Sequence, residues 1–305
     1  MPCLHLRNAR DFSTIWIGRC VFFMLLLFAQ FPLANANSPS ADRPVADAAR
    51  NLSLYSNAAL VLDENTGAVL YGKNMDTVHP IASLTKLMTA IVILDSGLPL
   101  DATIRVENAD IDMERGSRSK MRIGEVLARR DMLRLALMSS ENRAATALAR
   151  TFPGGRDAFV ATMNRRAGKI GMTATWFVDS SGLSRKNVST ARDLAKLVAT
   201  AARYELIRDY STTPQVSLKR LDSGTQVNYV NTNLLLRRDN GWDINISKTG
   251  YLNEAGYCLV LQAVIDGRVV NIVLLDSYGR YSRVGDANRI KKWIEERVRP
   301  SMGKL

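Results

Sequence analysis

Apolar and polar positions are arranged along this chain in three ways, and each arrangement predicts a different element. The first is a continuous run. Cys20 to Leu33 is apolar apart from Gln30 and Pro32, with Arg7, Arg10 and Arg19 ahead of it and Ala34-Asn35-Ala36 behind. Positive residues, a short apolar run and then small residues describe an export signal, with cleavage expected near Ala36. The run is also shorter than the ~20 residues that a membrane-spanning helix needs. Residues 37 to 55 carry Pro39, Pro44 and several Ala, Asp and Ser, and read as a loose leader. Folded structure is expected to begin near Asn57.

The second arrangement is short apolar segments bounded by turn residues. Ala58 to Leu62 and Ala68 to Tyr71 flank Asp63-Glu64-Asn65-Thr66-Gly67, which predicts a β-hairpin. Near the other end, Asp243 to Tyr251, Tyr257 to Ile265 and Val269 to Leu275 predict three more strands. Asp266-Gly267 closes the last two as a tight hairpin.

The third arrangement is helical spacing. It runs through Ser83 to Leu94, Arg130 to Met138, Glu141 to Thr151, Arg156 to Lys169 and Thr190 to Arg203, with Pro153-Gly154-Gly155 as punctuation. A further amphipathic helix is predicted around Asn288 to Val298, with Ile290, Trp293, Ile294 and Val298 on one face. Strands at both ends therefore enclose a helical block at about 84 to 205. The expected fold is mixed α/β, one mainly antiparallel five-stranded sheet built from both chain ends and flanked by helices, with an inserted helical subdomain.

Composition changes the picture in two places. The chain has 305 residues and is 47% apolar, ample for a packed core, which sets disorder aside. Of its three cysteines, Cys3 and Cys20 leave with the export signal, so the mature chain cannot form an internal disulfide. Cys258 lies in the run Tyr257 to Leu261 and reads as a buried, inert thiol. The formal charge of +12 loses three arginines and one aspartate with residues 1 to 36, leaving +10, which suits an anionic surrounding. The basic residues are scattered, without an aromatic-basic stripe or zinc-ligand spacing, so no nucleic acid is expected as a partner.

The candidate chemistry begins at Ser83-Leu84-Thr85-Lys86. On a helix this spacing puts the serine hydroxyl and lysine amine on one face. Spacing alone does not select it, because Ser117 to Lys120 and Ser301 to Lys304 share it. Only Ser83 opens an apolar helix, through Leu84, Leu87, Met88, Ile91 and Val92. There burial would disfavour a charged Lys86, and the helix start would favour a developing oxyanion. Ser140-Glu141-Asn142 falls at a corner between two predicted helices, where a hydroxyl could relay a proton and an amide could orient Lys86 and a substrate. Lys248-Thr249-Gly250 lies in a predicted strand. Its cation and hydroxyl could hold a carboxylate, and Gly250 would let a peptide lie flat against the backbone.

S-x-x-K, S-x-N and K-T-G in this order are shared by penicillin-binding proteins and class A β-lactamases. The segments Pro80 to Ala90, Leu137 to Ala145, Ser189 to Leu194 and Lys248 to Tyr251 resemble the D-alanyl-D-alanine endopeptidase branch of the low-molecular-mass penicillin-binding proteins, over about residues 55 to 300. The resemblance implies a DD-peptidase/β-lactamase-like fold over residues 56–305. It makes Ser83 the acyl-ester nucleophile, Lys86 the proton acceptor, Ser140 the second catalytic serine and Lys248 the contact for a substrate carboxylate. Asn142 and Thr249 complete the site, and the backbone N–H groups of Ser83 and Tyr251 form the oxyanion hole. It implies no metal or organic cofactor. Its expected substrates are peptidoglycan stem peptides and cross-links in the periplasm, with β-lactams as covalent inhibitors and at most peripheral membrane association. No C-terminal β-rich anchoring domain is expected.

Other readings are weaker. The nearest runner-up is a D-Ala-D-Ala carboxypeptidase trimming pentapeptides, which the motifs do not separate from an endopeptidase. A class A β-lactamase would need an E-x-x-L-N segment, and Asp179-Ser180-Ser181-Gly182-Leu183-Ser184 stands in that stretch instead. A Ser-His-Asp hydrolase has only His79 available after export, four residues before Ser83, where a structural role is expected. A silent wall-binding or β-lactam-sensing module would not need the intact motifs.

Overall fold

Strands from the two ends of the chain meet in one sheet. The computed structural model describes residues 52–220, 223–237 and 241–297. In chain order, β1 (Ser56–Asp63), β2 (Val69–Lys73) and the short β3 (His79–Pro80) lead through a 3-10 turn, Ala82–Thr85, into α1 (Lys86–Asp95). Then come β4 (Thr103–Arg105), β5 (Val126–Ala128), α2 (Arg129–Met138), α3 (Asn142–Arg150) and α4 (Gly155–Lys169). They are followed by β6 (Val188–Ser189), α5 (Ala191–Ala201), α6 (Glu205–Thr212), β7 (Gln215–Lys219) and β8 (Gln226–Val230). The chain closes with β9 (Asp243–Leu252), β10 (Gly256–Ile265), β11 (Arg268–Ser277) and α7 (Arg280–Arg297).

The main sheet has the order β2-β1-β11-β10-β9, and each neighbouring pair is antiparallel. The mixed α/β sheet assembled from both chain ends is therefore as expected. Its central strands read as unbroken apolar runs because both faces are covered. Ala58, Leu60, Cys258, Val260, Val273 and Leu275 point to one face, into the core made with α1 to α6. The alternate residues Ala59, Val61, Leu259, Leu261, Ile272 and Leu274 point to the other, against Ala287, Ile290, Trp293 and Ile294 of α7. Leu52 and Leu54, at the end of the stretch read as a loose leader, are buried in this rear layer. The export signal itself, Val298 and the Ser301 to Lys304 spacing lie outside the described residues.

Two differences from the expected elements have physical causes. The helix expected from Asn288 starts at Arg280, because its first turn, Arg280 to Arg283, is polar and sends both arginines to a cleft rather than to the apolar layer. The alternation Val216, Leu218 and Val227, Tyr229 forms the antiparallel hairpin β7–β8, which was not expected. Its outward residues are polar enough to resemble a loop. Among the described residues no helix is long and apolar enough to cross a membrane.

Candidate active site

Ser83 is held where the front core meets the edge of the sheet. Leu84 and Leu87 are fully buried and pin the chain on either side of Lys86, so the start of α1 cannot rotate the lysine outward. The entry is tighter than a regular helix. Ser83 sits within the 3-10 turn, and Ala82 before it takes φ +47, a left-handed conformation rare for a residue with a side chain. Such local strain persists only where the surroundings enforce it. Here they do so from two sides. A Cβ on Gly182 would fall 2.0 Å from the Ala82 carbonyl oxygen, and one on Gly250 would fall 3.0 Å from that of Ile81 and 3.2 Å from Ser83 N. Two glycines thus let a loop and a strand close on the serine's backbone.

Lys86 is completely buried, and its Nζ donates to Ser83 Oγ at 2.9 Å, Asn142 Oδ1 at 2.7 Å and the Ser181 carbonyl at 2.5 Å. Burial pushes its ammonium down to about 7, against the charges of Asp179, Glu141 and Asp112, which favour the protonated form. A lysine in that range has a neutral fraction large enough to take a proton from the serine it touches.

Ser140 occupies the corner between α2 and α3 and also takes a left-handed conformation, φ +60. That corner turns its hydroxyl to the cleft, where it accepts from Lys248 Nζ at 3.0 Å. Two residues on, Asn142 opens α3 and spans two walls, accepting from Lys86 and donating through Nδ2 to Ser117 Oγ at 2.8 Å. Glu141 between them turns away and accepts from Ser119 Oγ and Lys120 N, fastening the segment that carries Ser117.

Lys248, Thr249, Gly250 and Tyr251 lie on β9, the edge strand of the sheet. One side of β9 therefore faces the cleft rather than another strand, leaving backbone groups free to pair with an extended peptide. Lys248 is buried, and burial together with the charges of Lys86 and Arg283 holds its ammonium well below the usual lysine range. Thr249 Oγ1 donates to Thr232 Oγ1 at 2.7 Å. Tyr251 stacks on Tyr257 with ring centroids 4.3 Å apart. Behind the strand, Arg283 of α7 donates to the carbonyls of Gly250 and Cys258, both at 2.8 Å, clamping β9 to β10.

The structure thus joins Ser83, Lys86 and Asn142 by direct hydrogen bonds and joins Ser140 to Lys248, while Thr249, Gly250 and Tyr251 line the same cleft. Ser83 stands at its middle. One half, about 410 Å³, runs past Ser140, Thr232, Thr249 and Tyr257. The other, about 450 Å³, runs past Arg115, Ser117, Leu183 and Asn253. Cys258 is fully buried and burial raises its thiol to about 11, which leaves it inert. His79 is in β3, paired with Ser189, outside the cleft.

Several participants carried no signal of their own in the sequence. Ser117 belongs to a spacing set aside as non-catalytic, and Lys120 does turn away, to the Asn228 carbonyl; Ser117 nevertheless meets Asn142. Thr232, Gly182 and Arg283 reach the site only through tertiary contacts. Asp179 is the organiser of the loop opposite Ser83. Its Oδ1 accepts from Ser181 N, Ser181 Oγ and Gly182 N, and its Oδ2 from Ser184 N and Asn187 Nδ2. Arg115 ties that loop to the β9–β10 turn, donating to the Leu183 carbonyl at 2.8 Å and pairing with Glu254 at 2.9 Å.

A serine hydrogen-bonded to a buried lysine one helical turn away, set beside an edge strand, is the arrangement of the serine-type, penicillin-recognising peptidases, and comparison with known proteins shows that family. The sequence matches the D-alanyl-D-alanine carboxypeptidase family over residues 45–279, and the chain belongs to that family. It is 46% identical to a D-alanyl-D-alanine endopeptidase of Pseudomonas aeruginosa over 89% of this chain and 87% of that protein. It is 43% identical to one of Escherichia coli over 91% and 88%. Its fold is similar to the crystal structure of the Streptomyces K15 DD-transpeptidase, with a TM-score of 0.73 at 29% identity, over 79% of this chain and 97% of that one.

Proposed function

We propose that the chain is an exported D-alanyl-D-alanine endopeptidase that hydrolyses D-Ala-meso-diaminopimelate cross-links in peptidoglycan through an acyl-enzyme on Ser83. The observation that carries this reading is the wholly buried Lys86 Nζ, 2.9 Å from Ser83 Oγ. The neutral amine accepts the serine proton as Oγ attacks the D-alanyl carbonyl carbon. The backbone N–H groups of Ser83 and Tyr251 receive the developing oxyanion. Ser140 passes a proton to the departing amine, and its contact with Lys248 keeps the hydroxyl turned to the cleft. Asn142 holds Lys86 and the substrate amide in register. Lys248 and Thr249 receive the carboxylate next to the scissile bond, and Gly250 lets the peptide lie along β9. Water then cleaves the ester and restores Ser83 and Lys86.

The same attack opens a β-lactam ring, leaving a covalent adduct. Hydrolysis of that adduct is slow in this reading. Asp179 stands in the loop facing Ser83, and both its oxygens are taken by the loop itself, so it is not free to activate a water. Residues 1–36 act as the cleaved signal, and a leader connects it to the peptidase domain, which takes in the buried Leu52 and Leu54 ahead of β1 and works in the periplasm with at most peripheral membrane attachment. The runner-up, trimming of pentapeptides by carboxypeptidase action, uses the same acyl-enzyme and differs only in the amine released. Digestion of purified cross-linked muropeptide dimers decides between them: conversion to monomers is the expected result, and release of D-alanine without monomers would establish the runner-up.

A further inference from the structure

The two halves of the cleft differ in charge. The half past Arg115 mixes signs, because Glu114 lines it and Glu254 pairs with Arg115. The half past Ser140 and Thr249 is lined by Arg237, Arg280 and Arg283 and by no carboxylate. Arg283 is buried and occupied by the Gly250 and Cys258 carbonyls. Arg237 and Arg280 are exposed, and among the described residues neither pairs with an acidic side chain.

One of these guanidiniums is placed at a cost and the other is held in place. Arg280 and Arg283 occupy the first turn of α7, which has no acidic residue. Cations at the positive end of a helix are unfavourable. Arg237 donates through Nε and Nη2 to the Asn231 carbonyl at 2.8 and 2.6 Å, and Asn231 is itself buried, its Nδ2 donating to the Ser211 and Thr213 carbonyls. A fixed guanidinium and a second one left uncompensated at a helix start describe a place prepared for negative charge.

We propose that Arg237 and Arg280 form a second carboxylate subsite, which favours the polyanionic amine of a cross-link over free D-alanine as leaving group. The inference rests on the endopeptidase reading above and names the residues that set its specificity. D-Alanine carries one carboxylate, and Lys248 and Thr249 already receive it. The amine released from a cross-link is the side chain of a second stem peptide. It carries a carboxylate beside the amine and at least one more along the stem, and these arginines line the half of the cleft that holds Lys248's neighbours Thr249 and Gly250.

The test compares R280Q, and separately R237Q, with the wild type on three substrates: cross-linked dimer, free pentapeptide and benzylpenicillin. The expected result is a loss of about tenfold in kcat/KM on the dimer, mainly through KM, as one charge-assisted contact is removed. Pentapeptide trimming and penicillin acylation change by less than about threefold, so the ratio of dimer to pentapeptide rates collapses. The difference shrinks in 0.5 M salt, where exposed charges are screened, and Arg280→Lys recovers part of it. Because Arg237 also anchors Asn231, R280Q is the decisive variant if R237Q folds poorly. An unchanged dimer rate in R280Q, or equal losses on all three substrates, would overturn the subsite. A wild type that acylates with penicillin but leaves dimers intact would overturn the endopeptidase reading itself.

Discussion

The proposed mechanism turns on one amine. A solvated lysine is a poor base at neutral pH, whereas burial brings Lys86 to about 7 while leaving it hydrogen-bonded to Ser83. The sign of the pH dependence follows. Below about 7 the amine is increasingly protonated and cannot accept the serine proton, so acylation by benzylpenicillin should fall toward tenfold per pH unit on the acid side and level off above. A stopped-flow profile that is flat from pH 5 to 8 would mean another base. Backbone approach makes the second prediction at this scale. Gly182 has φ +79 and no room for a Cβ against Ala82, so Gly182→Ala should cost at least about 2 kcal/mol and most of the acylation rate. Urea unfolding and adduct formation measure the two effects. Ser83 and Lys86 were legible because an apolar helix surrounds them. Gly182 and Thr232 were not, because nothing local distinguishes a glycine that meets Ala82 from one that merely turns the chain.

Each side chain assigned a role in the proposed mechanism is aimed by the end or edge of an element: Lys86 by the first turn of α1, Ser140 and Asn142 by the α2–α3 corner, and Lys248 by the edge strand β9. Helices and strands were readable from periodicity, yet the deviations that aim the groups were not. The left-handed turns at Ala82 and Ser140 are imposed by tertiary contacts on residues that do not prefer them. The first turn of α7 carried no amphipathic signal because Arg280 and Arg283 line the cleft instead of an apolar face. The β7–β8 hairpin does carry a period-two signal in Val216, Leu218, Val227 and Tyr229, which could have been read. The loop at Asp179 yields a two-part prediction. Asp179→Asn leaves one acceptor oxygen where two fix the loop, so either the Ser181 and Gly182 bonds or the Ser184 and Asn187 bonds are lost, and it removes a charge that favours protonated Lys86. Acylation should slow by about tenfold, while the acid limb of its pH profile moves to lower pH. A limb that stays in place would show that Asp179 acts through geometry alone.

At the scale of the molecule, the site depends on both chain ends. Strand β1 pairs with β11 along its length, and the edge strand β9 reaches that pair through β10. Asp286 of α7 ties the layers together. It is fully buried and accepts from Ser56 N at 2.7 Å, Ser56 Oγ at 2.6 Å and Tyr55 N at 3.0 Å. Asp286→Ala should destabilise the protein by about 2–4 kcal/mol. The folded fraction should still acylate, because no group of the cleft is touched; urea titration and the adduct yield per folded molecule check both halves. This architecture was legible because apolar runs at both termini, buried on two faces, leave few ways to pair. The most direct measurement of the central claim is the intact mass of the purified protein after benzylpenicillin. One penicilloyl adduct on the wild type and none on Ser83→Ala is the predicted result. No adduct on the wild type, or an undiminished one on Ser83→Ala, would contradict it.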